Sequence, residues 1–540
     1  MPALPPVSAG VPPPTAGQRR GLASAAAILA AAFLASRVLG VVKWTVIGAT
    51  VQPAPAPDLN AFLTAFKVPD LIFLLLSGGA LSSALVPTLA GYLAHDEEEQ
   101  AWRTASSVFN ALAVLLIAAV AVAFLLAPLY SPWLLDRQQG DPQAVALTVR
   151  LTRIMLLQPF CLALASVLMG AANAAHRFAI PALAPLLYNV VFIVGALLAP
   201  RFGVEAVAWG VSLGGLAQLG LQVAGLGAQR RWYRPVIAWA DAGVREIMRL
   251  MGPRLFGQVG LQLTLIVTTK LANSLPRAAN DVLNFAFTLV TLPVGIFAAS
   301  LAVAAFPGMS QQAARGEHAA LRASVSLTLR HVLFLTVPSA VGLALLAPHM
   351  VAVLFGHGQF GRDPVNLTMT STALLLYAVG LPAHAAVEVL PRAFFALRDT
   401  RTPVAINLCT LALAIVLSIV LVRVLPPEAA YGGLALALSL SVIVEALWLT
   451  ALLRDRLDGL EGINLATSLG RALLAAGAME VVLLLVLAVG EPRLAPGWLT
   501  ADLPLTVLGV VTGGATYLIV ARLLGAQEVQ VAMGMLRRRF

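Results

Sequence analysis

From about Leu22 to about Leu524 the chain passes through fourteen apolar stretches, each long enough to cross a bilayer and separated by short polar connections. A run of about 20 apolar residues spans a hydrocarbon core about 30 Å thick. At that depth no water is available, so every backbone N–H and C=O must be paired internally. Stretches of this length and Leu/Ala/Val content therefore read as helices, whereas a barrel would show alternating segments of about ten residues. The expected spans are 22–51, 60–93, 104–130, 144–173, 179–199, 204–228, 244–275, 280–310, 320–347, 364–397, 401–424, 429–453, 465–489 and 503–524. Several exceed the minimum, which implies tilt, interfacial extension or kinks. Pro69, Pro87, Pro159, Pro293, Pro307, Pro338, Pro382 and Pro391 fall within or near the ends of spans, where they interrupt the hydrogen-bond ladder. The expected fold is an all-α polytopic membrane protein.

Composition agrees: hydrophobic residues make up 59% of the 540 and charged residues 11%, far too little charge for a soluble chain of this length. A cytoplasmic N-terminus places about sixteen loop arginines inside, among them Arg19, Arg20, Arg230, Arg231, Arg234, Arg398, Arg401 and Arg537 to Arg539, against about six outside. Both termini are then cytoplasmic. This asymmetry accounts for most of the net charge of +10 and makes nucleic-acid binding the weaker reading. The Ala-rich run after Arg20 is read as the first span rather than a cleaved signal, since its removal would leave an odd set. Cys161 and Cys409 lie in apolar spans without metal-ligand partners and are expected to be buried thiols. No metal site is expected.

The pattern of Leu168 to Val194, with Arg177 and Pro181 at a short turn, returns at Leu390 to Val416 with Arg401 and Pro403, an offset of about 222 residues. Pro87 maps onto Pro307 at nearly the same shift. Six spans per copy give two lobes of like orientation, related by a pseudo-twofold axis along the membrane normal, with a central cavity between them. The expected organisation is a Pro-rich cytoplasmic N-terminus (1–21), an N-lobe (22–228), an interlobe linker (229–243), a C-lobe (244–453), two further spans (454–524) and a basic C-terminus (525–540).

Charges inside the spans need a reason, because an ionisable side chain at the bilayer centre costs roughly 2.5 to 3.5 kcal/mol on insertion scales. Arg37 lies about 22 Å along span 1 at 1.5 Å per residue, and Lys43 and Lys67 fall at similar depth in the outer half. Arg254 is well inside span 7, where a cavity-lining role and a structural pairing are equally open, and Lys270 near the end of that span is suited to snorkelling. His384, Glu388 and Arg392 recur every fourth residue on span 10, a spacing that favours an internal ion pair. Glu445 and Glu480 are single carboxylates. A cavity whose deepest groups are cations suits an anionic ligand such as a pyrophosphate. No phosphate-binding Gly-Lys loop, zinc spacing or nucleophile elbow accompanies them, so a transporter is expected rather than an enzyme.

Four stretches carry a resemblance: Ser36 to Gly40; Ala65 to Pro69 with Gly79 and Pro87; Leu354 to Phe360; and Arg392 to Pro403. In their order and spacing the chain resembles the MurJ/MviN family of lipid II flippases, within the multidrug/oligosaccharidyl-lipid/polysaccharide exporter superfamily. The resemblance implies two six-helix lobes around a cationic cavity and a terminal helix pair forming a groove for a polyprenyl tail. It also implies that lipid II, an undecaprenyl-pyrophosphate-linked disaccharide-pentapeptide, is turned to the outer leaflet of the bacterial inner membrane. Arg37 matches the family arginine expected to engage the pyrophosphate, and Lys43 a second basic position.

The chain departs from that pattern. Trp44 stands where many members have Asp, Asn60 where an acidic residue is usual, Phe73 and Leu74 in place of an Arg pair, Gly78 in place of Glu, and Thr288 where span 8 has arginine. Both signs are missing together, as in a pruned ion-pair network or a branch with altered substrate or coupling. The candidate substrate cations are Arg37, Lys43, Lys67 and Arg254, with Lys270, His384, Glu388 and Arg392 behind them. No cofactor is expected; membrane potential or a monovalent ion is the open energy source. The expected partners are lipid II and membrane lipids, with no nucleic acid, and the expected state is a monomer. The competing readings are a cation-coupled drug exporter, a flippase for another polyprenyl-linked oligosaccharide, and a membrane scaffold.

Overall fold

The computed structural model describes residues 35–53, 58–77, 80–94, 97–135, 141–175, 177, 179–227, 229, 233–238, 244–245, 262–275, 279–494 and 497–529. Among these, twelve helical stretches are long and apolar enough to cross a membrane, and no strand occurs. In chain order the helices are α1 (35–50), α2 (Asp58–Ser77), α3 (Ala80–Ala94), α4 (Glu98–Leu135), α5 (Pro142–Met155), α6 (Leu157–Ala174), α7 (Ala179–Phe202), α8 (Glu205–Gly225) and α9 (262–274). They continue with α10 (Asn280–Pro293), α11 (Ser300–Ala314), α12 (His318–Leu345), α13 (Ala347–Phe355), α14 (Gly358–Gly361), α15 (Pro364–Ala396), α16 (Arg401–Val424), α17 (Ala430–Arg456), α18 (Gly462–Gly490) and α19 (Leu503–Leu523). Parts of the first and seventh expected spans are seen here as α1 and α9, and residues 22–34 and 246–261 of those spans, Arg254 included, lie outside the described set.

The prolines shape these helices as their chemistry requires. Asp141 caps α5 by accepting from the Gln143 N–H, with Pro142 in the first turn, where its missing N–H costs nothing. The fourth span then breaks at Leu156, three residues before Pro159. The eighth span holds its ladder across Pro293 by widening into a π-helical turn at Val294–Ala299. The Asp363–Pro364 pair opens α15 as Asp141–Pro142 opens α5.

α2 to α8 pack as one bundle and α10 to α17 as a second, while α18 and α19 pair with each other and lie on α12. Within the first bundle, Gly195 of α7 faces Gly210 of α8 so closely that a Cβ on Gly195 would sit 2.6 Å from the Gly210 Cα. α18 and α19 are secured by the Tyr517 hydroxyl, which donates to the Phe334 carbonyl at 2.6 Å, and by Arg330, whose Nη2 lies 2.7 Å from the buried Glu528 carboxylate.

Cys161 is buried as expected, but Cys409 is exposed on the outward face of α16. An apolar span says nothing about which face of its helix meets lipid, and the burial expected for Cys409 is corrected accordingly. Glu98 and Glu99 form the first turn of α4, where carboxylates suit the helix dipole.

Candidate functional site

Arg37 lies on α1 in the wall of a cavity of about 630 Å³ lined by α1, α6, α7 and α10. Its neighbours along the wall are Ser36, Gly40 and Trp44 of α1, Asn189 of α7, and Thr288 and Thr291 of α10. The guanidinium of α1 reaches the backbone of the second bundle. A Cβ built on Gly295, inside the π-helical turn, would lie 2.9 Å from Arg37 Cζ and 3.1 Å from its Nη1. Asn189 Nδ2 donates to the Ser36 hydroxyl at 3.5 Å, so amide and hydroxyl dipoles flank the cation. No carboxylate is among the described residues lining this cavity.

The two lysines are placed differently. Lys43, one helical turn or so beyond Gly40, projects its ammonium among aromatic faces, 4.8 Å from the Phe192 ring centroid, 5.3 Å from Trp44 and 6.0 Å from Tyr188. Cation–π attraction of this kind holds an ammonium where water is scarce. Lys67 of α2 enters a smaller cavity of about 100 Å³ in the second bundle, beside Asn284, Tyr377 and His384, and donates to Asn284 Oδ1 at a long 3.5 Å. Asp70, one turn along α2, is the electrostatic neighbour of both lysines. Sequence reasoning missed Asp70, although the Lys67 to Asp70 spacing is itself the signature of a same-face pair.

Of the remaining candidates, Lys270 is half-buried, its Nζ donating to the Trp133 carbonyl at 3.2 Å and lying 4.4 Å from that ring. Glu388 and Arg392 are paired at 2.9 Å, and Arg392 also donates to the Glu388 carbonyl. His384 lines the smaller cavity, 6.3 Å from Phe287. Arg37 and Lys67 thus face two cavities rather than one, and Arg254 is outside the described residues.

One end of the space between the bundles is closed by neutral groups. Asn280 of α10 donates to Asn60 Oδ1 of α2 at 3.2 Å, Asn284 donates to Asn280 Oδ1 at 2.9 Å, and Asn273 of α9 donates to Thr64 at 3.1 Å and to the Leu134 carbonyl at 2.9 Å. Asn60, Thr64, Asn273 and Asn280 are all at most 2% exposed. Beside them Phe285 of α10 stacks on Phe355 of α13 at 4.4 Å and meets Phe360 of α14 and Trp44 of α1 edge-on. Gly358, with φ of +75°, lies against the Ala49 backbone at the end of α1. Two of the positions that depart from the family pattern, Trp44 and Asn60, are therefore parts of this seal, while Thr288 lines the Arg37 cavity and spends its hydroxyl on the Asn284 carbonyl.

This architecture has known counterparts. The chain is similar in fold to a solved lipid II flippase MurJ in an inward closed conformation, with a TM-score of 0.73 at 20% identity over 92% of this chain and 98% of the other. It is also similar to an inward-facing multidrug resistance MATE family transporter, with a TM-score of 0.64 at 16% identity over 79% and 96%. In sequence it is 30% identical over 434 residues to the lipid II flippase MurJ of Burkholderia cenocepacia, covering 78% of this chain and 82% of that protein. The probable lipid II flippase MurJ of Rhizobium tropici is 28% identical over 521 residues, covering 94% of each. A family model described as lipid II flippase MurJ matches residues 55–506. With a family model spanning most of its length and a cationic cavity between two helical bundles, this chain belongs to the lipid II flippase MurJ family.

Proposed function

We propose that the chain turns lipid II from the cytoplasmic to the outer leaflet of the bacterial inner membrane by alternating access, its two bundles rocking about the Arg37 cavity. It works as a transporter, not an enzyme, in the supply of peptidoglycan precursor. The observation that carries this reading is the position of Arg37, a guanidinium on a cavity wall whose described residues include no carboxylate and that is shared by both bundles. A pyrophosphate there accepts charge-assisted bonds from Arg37 and neutral ones from Ser36 and Asn189, which offsets the desolvation of both partners. Both termini are cytoplasmic in this reading. The Asn60–Asn280 seal then lies at the outer end and the Arg37 cavity is loaded from within. The polyprenyl tail stays in lipid beside α18 and α19. The working unit is a monomer without a cofactor, driven by membrane potential or a monovalent ion; a potential is worth about 2.3 kcal/mol per charge per 100 mV.

Genetic rescue is the test. In cells depleted of their own lipid II flippase, expression of this chain should restore growth, and Arg37→Ala should abolish rescue at normal membrane abundance. Failure of the parent chain, expressed and inserted, would sink the reading in favour of another polyprenyl-linked oligosaccharide. The drug-exporter alternative needs carboxylates for a cationic cargo. Among the described residues, the interior of the first bundle offers Asp70, already flanked by two lysines.

A further inference from the structure

His349, in α13, is 9% exposed and has a carboxylate at each ring nitrogen: Asp502 Oδ1 lies 2.8 Å from Nδ1 and Glu491 Oε1 lies 3.1 Å from Nε2. Glu491 ends α18 and Asp502 immediately precedes α19, so one imidazole ties both ends of the α18–α19 connection to α13. A neutral imidazole carries one N–H and one lone pair, and an ionised carboxylate only accepts. Two N···O hydrogen bonds at these distances need two protons, held either as imidazolium between two carboxylates or as neutral imidazole with one carboxylic acid. Removing one proton leaves a lone pair facing a carboxylate oxygen. Glu491 is then the partner that gives way, since its bond is the longer of the two and its side chain is 56% exposed against 23% for Asp502.

The charged groups on neighbouring elements are otherwise engaged or distant. Asp363 accepts from the Val365 N–H at the start of α15, and Arg493, beside Glu491, is bonded to the Val489 carbonyl at 3.5 Å. Arg330 of α12 is paired with Glu528, and His331 bonds the Leu327 carbonyl, both some four or more turns from His349. His384, Glu388 and Arg392 belong to the second half of α15, and Arg522 to the last turn of α19. Arg362 and His357 flank α14 beyond the far end of α13.

That far end is the seal. α13 delivers Phe355 onto Phe285 and leads directly into Gly358, seated on the Ala49 backbone, and Phe360. A clasp at His349 therefore fixes the segment that closes the space between the bundles. We propose that His349 is a positioning residue of the transport cycle: a proton-dependent clasp that holds the α13–α14 segment closed on the α18–α19 hairpin and loosens it when the proton leaves. This goes beyond the family assignment, and its meaning for transport rests on the alternating-access reading.

The test needs no lipid II, so it can fail or succeed independently of that reading. In a full-length chain with Cys161→Ala and Cys409→Ala, Ala49→Cys reports the seal through its labelling rate with a membrane-impermeant maleimide in detergent. Rates at about pH 5.5 and pH 8.5, which bracket the range where histidine changes charge, are normalised to the unfolded chain at the same pH. Labelling should be about tenfold faster at the higher pH, the scale of losing one charge-assisted hydrogen bond. His349→Gln should label fast at both pH values. Glu491→Gln should label slowly at both, because its amide N–H donates to neutral imidazole and replaces the missing proton. The proposal is overturned if the parent shows no pH dependence, if His349→Gln keeps the parent ratio, or if both variants shift the same way, as a merely structural contact would.

Discussion

The guanidinium of Arg37 fills the space above Gly295 that any side chain at that position would claim. Because Arg37 comes from α1 and Gly295 from the π-helical turn after Pro293, a single residue without a Cβ lets the cation of α1 rest against the backbone of the second bundle. The atoms in conflict are the flexible end of an arginine. Gly295→Ala should therefore fold and insert normally while displacing the guanidinium by a few tenths of an ångström or more. Rescue of flippase-depleted cells should fall, with apparent affinity for a pyrophosphate head group weakened about tenfold. Gly308→Ala, where nothing lies within 4 Å, should behave as the parent. Equal rescue by both variants would remove the Arg37–Gly295 contact from the mechanism.

The seal of buried amides should be sensitive to single deletions. Asn280→Ala removes the donor to Asn60 and Thr64 of α2, while Asn284 keeps its bond to the backbone carbonyl of residue 280. Taking the partner from a buried amide oxygen costs about 1 to 3 kcal/mol. The expected outcome is a closed state weakened by that order, seen as faster labelling of Ala49→Cys and a lower melting temperature in detergent. Because the seal joins neutral groups, raising salt to about 1 M should leave the labelling rate nearly unchanged. A strong salt response would mean that ion pairs carry the closure.

Asp399 offers a stability test outside the membrane spans. Burial pushes its carboxyl up, but bonds from the Thr402 N–H and hydroxyl, the Arg456 guanidinium and the Arg401 N–H outweigh this and hold it below the usual carboxylate range. Since the folded-state value lies below the unfolded one, the stabilisation is whole at neutral pH and disappears as pH falls from about 4 through the folded value. Asp399→Asn should cost about 1 kcal/mol at pH 7, the net scale of one hydrogen bond, because the amide keeps an acceptor for the backbone N–H groups but loses the charge that Arg456 faces. The gap between parent and variant melting curves should close in acid; a gap that is constant with pH would refute the assignment.

Gly195 and Gly210 let α7 and α8 touch backbone to backbone. Gly195→Leu places a branched side chain where even a Cβ meets the Gly210 Cα at 2.6 Å and the Ala206 carbonyl at 2.7 Å. Overpacking against rigid backbone typically costs about 1 to 3 kcal/mol or more, so yield and melting temperature should both drop. The same change at Gly220, which has open space, should be tolerated.

The run of apolar stretches alone determined that this chain crosses the membrane many times as helices, because unpaired backbone has no alternative partner in hydrocarbon. It also marked Arg37 and Lys67, since an ionisable group within a span has to be explained. Tertiary structure decided which surface each group meets. Cys409 faces outward although its span is as apolar as that of Cys161, Lys43 lies among three aromatic rings, and Lys67 and Arg37 open on different cavities. Asp70 becomes the shared neighbour of two lysines only when α1 and α2 are packed. The His349 clasp joins residues 142 and 153 positions apart. Hydropathy along the chain records the solvent a segment must tolerate, whereas partners across helices depend on rotation and contact, which no one-dimensional pattern encodes.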